Sequence, residues 1–246
     1  MKKFGLIGYP LGHSFSKKYF TEKFQEEGIE GCEYELYELE KIDIFSDLVS
    51  NTELTGLNVT IPYKQDVIPY LDRLDPATAG KIGAVNVIKF EEDGTKTGYN
   101  SDYYGFKTSL LEFLPHTKFK ALILGTGGAS KAIKVTLEDL DIPYQYVSRN
   151  RTEESISYAD ITEEIYATHT LVINTTPLGM HPNEGIAPKL PYELTTENHY
   201  FFDVVYNPSV TEFMKLGAEN GAKTLNGLDM LIGQAEASWK IWNGEF

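Results

Sequence analysis

The sequence has only one cysteine, Cys32, and no disulfide can therefore form within the chain. Basic residues are also scarce, because 22 lysines and arginines stand against 36 aspartates and glutamates, giving a formal net charge of -14. This acidity argues against an extended nucleic-acid-binding surface, but it leaves room for a local basic pocket. No apolar run approaches the length of a membrane span, and no signal-like segment follows Met1-Lys2-Lys3. We therefore expect a cytoplasmic protein with no nucleic acid and no membrane as partners.

The length and the hydrophobic pattern indicate the class of fold. The 246 residues suffice for one large domain or two small ones, and 41% of them are hydrophobic. From Phe119 onward, apolar strand-like runs alternate with helical segments, which predicts a parallel sheet. The N-terminal half also contains strand-like runs, among them Ile82 to Phe90, followed by a hairpin turn at Glu92 to Thr95. The sequence therefore predicts the α/β class.

The most distinctive stretch is a strand-like run that ends in Gly125-Thr126-Gly127-Gly128-Ala129 and continues as a helix. Glycines at such a turn let the backbone approach a pyrophosphate, which the helix N-terminus then attracts. The spacing departs from the standard Gly-x-Gly-x-x-Gly pattern, because Ser130 occupies the third position. A glycine-rich turn of this kind also occurs without a ligand. The turn predicts a dinucleotide site at Gly125, Gly127, Gly128 and Ala129.

The segment after the next strand bears on the type of dinucleotide. The strand Tyr144 to Ser148 ends in Arg149-Asn150-Arg151-Thr152, and no carboxylate occurs before Glu153. A standard NAD site places an acidic residue here to bind the ribose, whereas guanidinium groups suit a 2′-phosphate. The segment therefore predicts NADP rather than NAD, and a solvated basic turn is the alternative interpretation.

Polar residues follow two strand-like runs of the N-terminal half. Ser14 and Ser16 stand before a helix, where their hydroxyls can cap backbone donors or bind an anionic ligand. Thr60 and Lys64 lie on either side of Pro62, which should end a strand and begin a strand-to-helix turn. Ligands of α/β proteins bind at such turns, although a lysine there is often only solvated.

Two further polar residues interrupt or follow apolar segments. Asn86 lies inside an apolar run, and it therefore needs hydrogen-bond partners, either from the backbone or from a ligand. Asp102 opens a helix that extends to about Phe113, and helix capping is its simplest structural role. Both residues are candidates for a ligand site.

These segments occur together in an order that resembles the shikimate dehydrogenase family over nearly the whole chain. Each motif alone is weakly specific, whereas all of them in register are strongly so. The matching motifs are Ser14-x-Ser16, Asn58-Val59-Thr60-x-Pro62-x-Lys64, Gly83-Ala84-Val85-Asn86, Asn100-Ser101-Asp102-x-x-Gly105, the glycine turn, Asn150-Arg151-Thr152, Asn174-x-Thr176-Pro177-x-Gly179-Met180 and Asn226-Gly227-Leu228-x-Met230-Leu231-x-x-Gln234-Ala235.

The resemblance implies two domains and a set of roles. Residues 1–102 plus 227–246 would form the substrate and catalytic domain, and residues 103–226 a Rossmann-like NADP-binding domain. Lys64 and Asp102 would form the catalytic pair, with no metal. The residues implied at the substrate are Ser14, Ser16, Thr60, Asn86, Tyr206 and Gln234, and Asp102 would also hold a hydroxyl. Those implied at the cofactor are Gly125, Gly127, Gly128, Ala129, Arg149, Asn150, Arg151, Thr152, Met180, Val204 and Gly227.

The implied activity is the reversible, NADPH-dependent reduction of 3-dehydroshikimate to shikimate, with a monomer or homodimer as the implied assembly. The chain departs from the family's usual pattern at Lys17, Phe20 and Thr21. It also has Ser155 where the family has a further basic residue for the 2′-phosphate. One alternative is a quinate/shikimate dehydrogenase that uses NAD and NADP, and another is a non-catalytic dinucleotide sensor. A dehydrogenase acting on methylene-tetrahydrofolate is less favoured, because the paired serines do not support it.

Overall fold

A computed structural model describes residues 1–12 and 14–246 and divides into two compact units. The first unit comprises Met1–Ser101 and Gln234–Phe246, and the second comprises Asp102–Gly233. The α-helices are α1 (Phe15–Glu26), α2 (Phe45–Asn51), α3 (Ala79–Ile82), α4 (Ser101–Phe113), α5 (Gly128–Asp139), α6 (Glu163–Thr168), α7 (Glu212–Glu219) and α8 (Leu228–Asn243). The chain therefore changes unit within α4 and again within α8. No helix of the described residues is both long and apolar enough to cross a membrane.

The first unit contains a mixed sheet with the strand order β2-β1-β3-β5-β6-β4. Its strands are β1 (Lys2–Gly8), β2 (Cys32–Glu38), β3 (Gly56–Val59), β4 (Arg73–Leu74), β5 (Val87–Phe90) and β6 (Lys96–Tyr99). The antiparallel pairing of β5 with β6 confirms the predicted hairpin. The prediction of one strand from Ile82 to Phe90 is wrong, because Ile82 ends α3 and Gly83 adopts a left-handed φ of +68°. This turn interrupts the extended backbone, and β5 begins only at Val87.

The second unit contains a parallel sheet with the strand order β12-β11-β10-β7-β8-β9. Its strands are β7 (Ala121–Leu124), β8 (Tyr144–Ser148), β9 (Ser155–Ser157), β10 (Leu171–Asn174), β11 (Tyr200–Asp203) and β12 (Lys223–Leu225). Its central strands β7, β10 and β11 are apolar except at the last residues of β10 and β11, because side chains alternate between the two faces and both faces are covered. Leu171 and Ile173 join one core cluster, whereas Val172 joins another. The predicted α/β class with a parallel Rossmann-like sheet is confirmed.

Candidate active site

The glycine turn joins β7 to α5 in the second unit. Gly125 has a φ of +100°, and a Cβ atom there would lie 2.9 Å from the Thr175 hydroxyl oxygen, so the backbone itself requires glycine. A Cβ atom at Gly127 or Gly128 would meet no heavy atom of the described residues within 4 Å. No side chain among those residues caps the N-terminus of α5, which begins at Gly128. The N–H groups at the start of α5 are therefore left without a side-chain cap among the described residues, and Ala129 continues the first helical turn.

A cavity of about 540 Å³ opens beside this turn. Gly125 and Gly127 line it together with Arg149, Asn150 and Thr152, so residues from two predicted motifs meet there. The shared location follows from the parallel pairing of β7 with β8, which brings their carboxyl ends to one edge of the sheet.

Arg151, the second predicted arginine, points to a carboxylate. Its guanidinium lies 3.8 Å from an oxygen of Asp160. The two arginines of the segment are therefore not equivalent in the structure, since Arg149 lines the cavity and Arg151 has an acidic neighbour.

Hydroxyl groups fix the backbone behind this segment. Ser155 is buried, and its Oγ lies 3.0 Å from Ser148 Oγ and 2.8 Å from Thr152 Oγ1. Its backbone N–H also donates to Thr152 Oγ1 at 3.1 Å. Tyr158 lines the same cavity, and burial raises its pKa to about 12 although nearby Arg149 opposes that shift. Ser155 thus stabilises the turn that carries Arg149.

In the first unit, the backbone links Lys64 to the segment of Asn86. Thr60 donates its N–H to the Ile7 carbonyl at 2.9 Å just after β3 ends, and Val85 donates its N–H to the Lys64 carbonyl at 2.7 Å. Lys64 itself is half-buried. The predicted strand-to-helix turn is only partly correct, because the chain after Thr60 forms turns and then a 3-10 helix at Ile68–Tyr70.

Asn86 and Gln234 form one polar cluster in the first unit. Asn86 is 3% exposed, and its Oδ1 accepts the Ser101 N–H at 2.6 Å. Its Nδ2 donates to Gln234 Oε1 at 3.4 Å.

The predicted capping role of Asp102 is wrong, because α4 already begins at Ser101 and places Asp102 inside the first turn, where it is 7% exposed.

The two predicted serines have different partners. Ser14 is the N-cap of α1, and its hydroxyl oxygen accepts the Lys17 N–H at 3.3 Å. Ser16 hydrogen-bonds the hydroxyl of Tyr34, which in turn donates to Asn58 Oδ1 at 2.8 Å. Burial raises the pKa of Tyr34, and the bond with Ser16 only partly opposes this effect. Tyr34 therefore stays a neutral hydrogen-bonding group.

A further serine, Ser238, which none of the sequence motifs contains, connects these groups. Ser238 is fully buried; its hydroxyl accepts from Asn58 Nδ2 at 2.9 Å and donates to the Gln234 carbonyl at 2.8 Å. Its Oγ also lies 3.2 Å from that of Ser101. The position of Ser238 one helical turn after Gln234 was the available signal, because residues four apart share a helix face.

The remaining predicted residues lie in loops of the second unit and at the start of α8. Met180 and Tyr206 are exposed by 42% and 41%. Gly227 donates its N–H to the Val205 carbonyl at 3.1 Å. A Cβ atom at Gly227 would lie only 2.2 Å from the Val204 carbonyl oxygen, so this contact also requires glycine.

Comparison with known proteins identifies the family. The model of the shikimate dehydrogenase substrate binding domain matches residues 6–88. A protein of Clostridium beijerinckii named shikimate dehydrogenase (NADP(+)) is 38% identical over 98% of this chain and 92% of its own length. The chain belongs to the shikimate dehydrogenase family. The family predicted from the motifs is thereby confirmed.

Solved structures of the family share the fold. Shikimate 5-dehydrogenase of Listeria monocytogenes in complex with shikimate and NAD is 28% identical, with a TM-score of 0.89 over 99% of this chain and 92% of that one. The Thermus thermophilus enzyme in complex with NADP(H) and shikimate is 27% identical, with a TM-score of 0.85 over 99% and 94%. Quinate dehydrogenase of Corynebacterium glutamicum in complex with NAD is 28% identical, with a TM-score of 0.85 over 99% and 94%.

Proposed function

We infer that this chain is an NADP-dependent oxidoreductase that interconverts 3-dehydroshikimate and shikimate in aromatic amino-acid biosynthesis. The observation that carries the inference is the match over 98% of the chain to a relative named shikimate dehydrogenase (NADP(+)). We further propose a cytoplasmic location and assign substrate binding to the first unit and NADP binding to the second. The division at Ser101 and Gln234 supports this assignment of roles, with bounds slightly different from those expected from sequence.

The cavity at the glycine turn fits a phosphorylated dinucleotide. We propose that the N–H groups of Gly127, Gly128 and Ala129 hold the pyrophosphate, because an uncapped helix N-terminus attracts anions. Arg149 would bind the 2′-phosphate, with Asn150 and Thr152 as neutral partners, since guanidinium and phosphate make strong charge-assisted hydrogen bonds. Because Arg151 contacts Asp160, we assign it a smaller contribution than Arg149 to binding of the 2′-phosphate. When bound, NADPH would supply the hydride for reduction.

The polar groups of the first unit suit a small carboxylate that carries several hydroxyls. Ser14 uses a lone pair to cap α1, which leaves its hydroxyl proton for the carboxylate of the substrate. Ser16 would be the second donor once its hydroxyl turns from Tyr34 to that carboxylate. Gln234 directs its Oε1 to Asn86, so its Nε2 group can donate to a substrate hydroxyl. Thr60 and Asn86 would bind the remaining hydroxyls.

We propose that Lys64 transfers the proton in this reaction. Reduction of the ketone leaves negative charge on its oxygen, and a positioned ammonium group can donate a proton to that oxygen. Asp102 would hold the ammonium in position, and in the oxidation direction Lys64 would accept the proton. Met180, Val204 and Gly227 would lie beside the nicotinamide, and Tyr206 would contact the substrate.

Initial rates with shikimate and quinate, each with NADP+ and NAD+, test this function. We expect kcat/KM with shikimate and NADP+ to exceed that of the other three combinations by about tenfold or more. The similarity to a quinate dehydrogenase with NAD favours a dual-specificity enzyme as second candidate, and comparable rates with quinate and NAD+ would support it. Absence of turnover in every combination would leave a dinucleotide sensor. Light scattering would decide between the proposed monomer and homodimer.

A further inference from the structure

A buried carboxylate lies at the carboxyl end of β11, which is the ligand-binding edge of a parallel sheet. Asp203 and Asn174 end the adjacent strands β11 and β10, and both are fully buried. Asp203 Oδ1 accepts from Asn174 Nδ2 and from the Val205 N–H, each at 3.0 Å. Its Oδ2 accepts from the Thr211 hydroxyl at 2.6 Å. One carboxylate thus joins the ends of two strands to the N-cap of α7.

These bonds continue into the two loops that follow the strands. Asn174 Oδ1 accepts from the Thr176 N–H at 3.1 Å and from its hydroxyl at 2.7 Å, which fixes the start of the loop to Met180. Gly179 packs on Thr211, since a Cβ atom at Gly179 would lie 3.0 Å from the Thr211 Cβ. The Asp203 cluster, defined as Asp203, Asn174 and Thr211, therefore contacts both loops.

The same cluster determines the backbone at Val204. Asp203 holds the Val205 N–H, and the Val205 carbonyl accepts the Gly227 N–H at 3.1 Å. Val204 lies between these bonds, with its carbonyl in close approach to Gly227. The residues proposed beside the nicotinamide, Met180 and Val204, thus belong to loops that share one buried anchor.

Burying a carboxylate costs free energy, because the charged group loses its contact with water. We take this cost as a sign that the hydrogen bonds of Asp203 serve a purpose. All three of its donors are neutral, and burial raises the pKa of Asp203 to about 6, although the three hydrogen bonds oppose that shift. An uncharged side chain would avoid this desolvation cost. A carboxylate, however, accepts at both oxygens, whereas an amide accepts at one only.

We propose that Asp203 is a positioning residue for the hydride-transfer reaction, because it holds the Met180 and Val204 loops in the orientation that the nicotinamide end of the cofactor needs. Asp203 touches neither substrate nor cofactor in this proposal, and it acts through the two loops. The proposal rests on the function inferred above and adds a residue that none of the sequence motifs contains.

The test compares Asp203→Asn with Thr195→Val. Thr195 is also buried in the second unit, where its Oγ1 bonds the Tyr166 hydroxyl at 2.8 Å, but it precedes the opposite end of β11. Calorimetry would give the Kd of NADP+ and of 2′,5′-ADP, which has the adenosine phosphates and no nicotinamide. Steady-state rates would give kcat and KM.

We expect Asp203→Asn to lower kcat by about tenfold to a hundredfold, because loops displaced by less than 1 Å misalign the reacting atoms. NADP+ binding should weaken about tenfold, and 2′,5′-ADP binding should stay within about twofold of the wild type. Thr195→Val should lower the melting temperature but change neither kcat nor the affinity for NADP+. Equal loss of affinity for both nucleotides, or the same kinetics in the two variants, would overturn the proposal.

A second pair of variants covers the case in which Asp203→Asn does not fold. Thr211→Ser keeps the hydroxyl and the helix cap, whereas Thr211→Val removes both. We expect normal kcat and NADP+ affinity for the serine variant. For the valine variant, we expect a lower kcat and weaker NADP+ binding, with the affinity for 2′,5′-ADP unchanged. No difference between them would contradict the proposal. A wild-type protein without turnover would refute the inferred function alone, since the two nucleotide affinities would still test the Asp203 cluster.

Discussion

At the scale of single residues, Lys64 is the group on which the proposed chemistry depends most directly. Its backbone carbonyl is bonded to the segment of Asn86, so the position of its main chain is set by the fold. Its proposed task is proton transfer, which needs a group that can both release and accept a proton. A positive charge alone is not enough for this task. Substitutions at Lys64 can therefore distinguish the effect of its charge from that of its proton transfer.

We predict that Lys64→Ala lowers kcat by about a hundredfold to ten-thousandfold, with a smaller change in KM. Lys64→Arg should be similarly slow despite its retained charge, because a guanidinium holds its proton far more tightly than an amine does and hardly releases it. Steady-state kinetics in both directions measure these effects, and Lys41→Ala at an exposed position is the control. Near-normal turnover of Lys64→Ala would remove this residue from the mechanism.

The preference for NADP+ over NAD+ also depends on a single residue, Arg149. Arg149 lines the cavity, whereas Arg151 lies 3.8 Å from Asp160. We predict that Arg149→Ala raises the KM of NADP+ about tenfold to a hundredfold, which corresponds to the loss of one or two charge-assisted hydrogen bonds. The KM of NAD+ should change little, because NAD+ has no 2′-phosphate.

Arg151→Ala is the matched control for this measurement. It removes the same charge from the same segment, but from a side chain with an acidic neighbour, so its effect on NADP+ should be clearly smaller. If the two substitutions raised the KM of NADP+ equally, the 2′-phosphate site would have to include both arginines, as the sequence alone suggested.

At the scale of elements, the contact between α1 and α8 organises the first unit. Lys23 of α1 is almost fully buried and bonds Glu236 of α8 at 2.8 Å, with Tyr19 as a further partner of that carboxylate. Burial lowers the pKa of Lys23, but its bonds to Glu236 and Glu27 outweigh that effect and raise the pKa overall. The lysine is therefore charged in the folded state. The contact joins the helix that follows Ser14 to the helix that carries Gln234.

Aromatic packing reinforces the same contact. Phe20, at a position where the chain departs from its family's usual pattern, is fully buried and stacks on Tyr34 with ring centroids 4.7 Å apart. Its ring also lies 5.3 Å from that of Trp242 in α8. The departure at Phe20 thus contributes to the core rather than to a polar site.

We predict that Glu236→Ala destabilises the protein by about 1 to 3 kcal/mol, because Lys23 and Tyr19 lose a carboxylate partner in a mostly buried setting. The KM of shikimate should also rise, since α1 positions Ser14 and Ser16. Urea unfolding and steady-state kinetics measure the two effects. Glu22→Ala, which breaks the exposed pair with Lys18 on the same helix, should change neither by much. Equal stability of the two variants would show that the buried contact contributes little.

At the scale of the whole molecule, the pH dependence of stability tests whether Asp203 is buried as described. Its ordinary pKa is 3.8, and burial raises it to about 6 in the folded state, which therefore holds the proton more tightly than the unfolded chain. The stability that the protonated form contributes is present below pH 3.8 and is lost as the pH rises through about 6.

We predict that the free energy of unfolding of the wild type, relative to Asp203→Asn, falls by about 2 kcal/mol between pH 4 and pH 7. Half-buried His169 and buried His199, whose pKa values burial lowers, titrate in both proteins and cancel in the difference. Urea unfolding at a series of pH values provides the measurement. Parallel curves for the two proteins would mean that Asp203 is not desolvated.

The sequence by itself determined the α/β class, the parallel sheet, the family and NADP as the cofactor. These properties depend on short-range patterns, namely apolar runs of strand length, glycines at a turn and motifs of fixed spacing. The ends of the strands were harder to predict from the sequence. The run from Ile82 to Phe90 is an example, because a left-handed glycine can end a helix inside an apolar run. The roles of the predicted site residues remain predictions.

Only the tertiary structure decided which polar groups meet. Ser238 bonds Asn58 across 180 positions, and Asp203 bonds Asn174 across 29, contacts that no local pattern encodes. Likewise, the structure separated Arg149 from Arg151, which are equivalent in the sequence and differ only in their neighbours. Hydrogen bonds and charges act over a few ångströms in space, so the partners of a side chain depend on how distant segments pack.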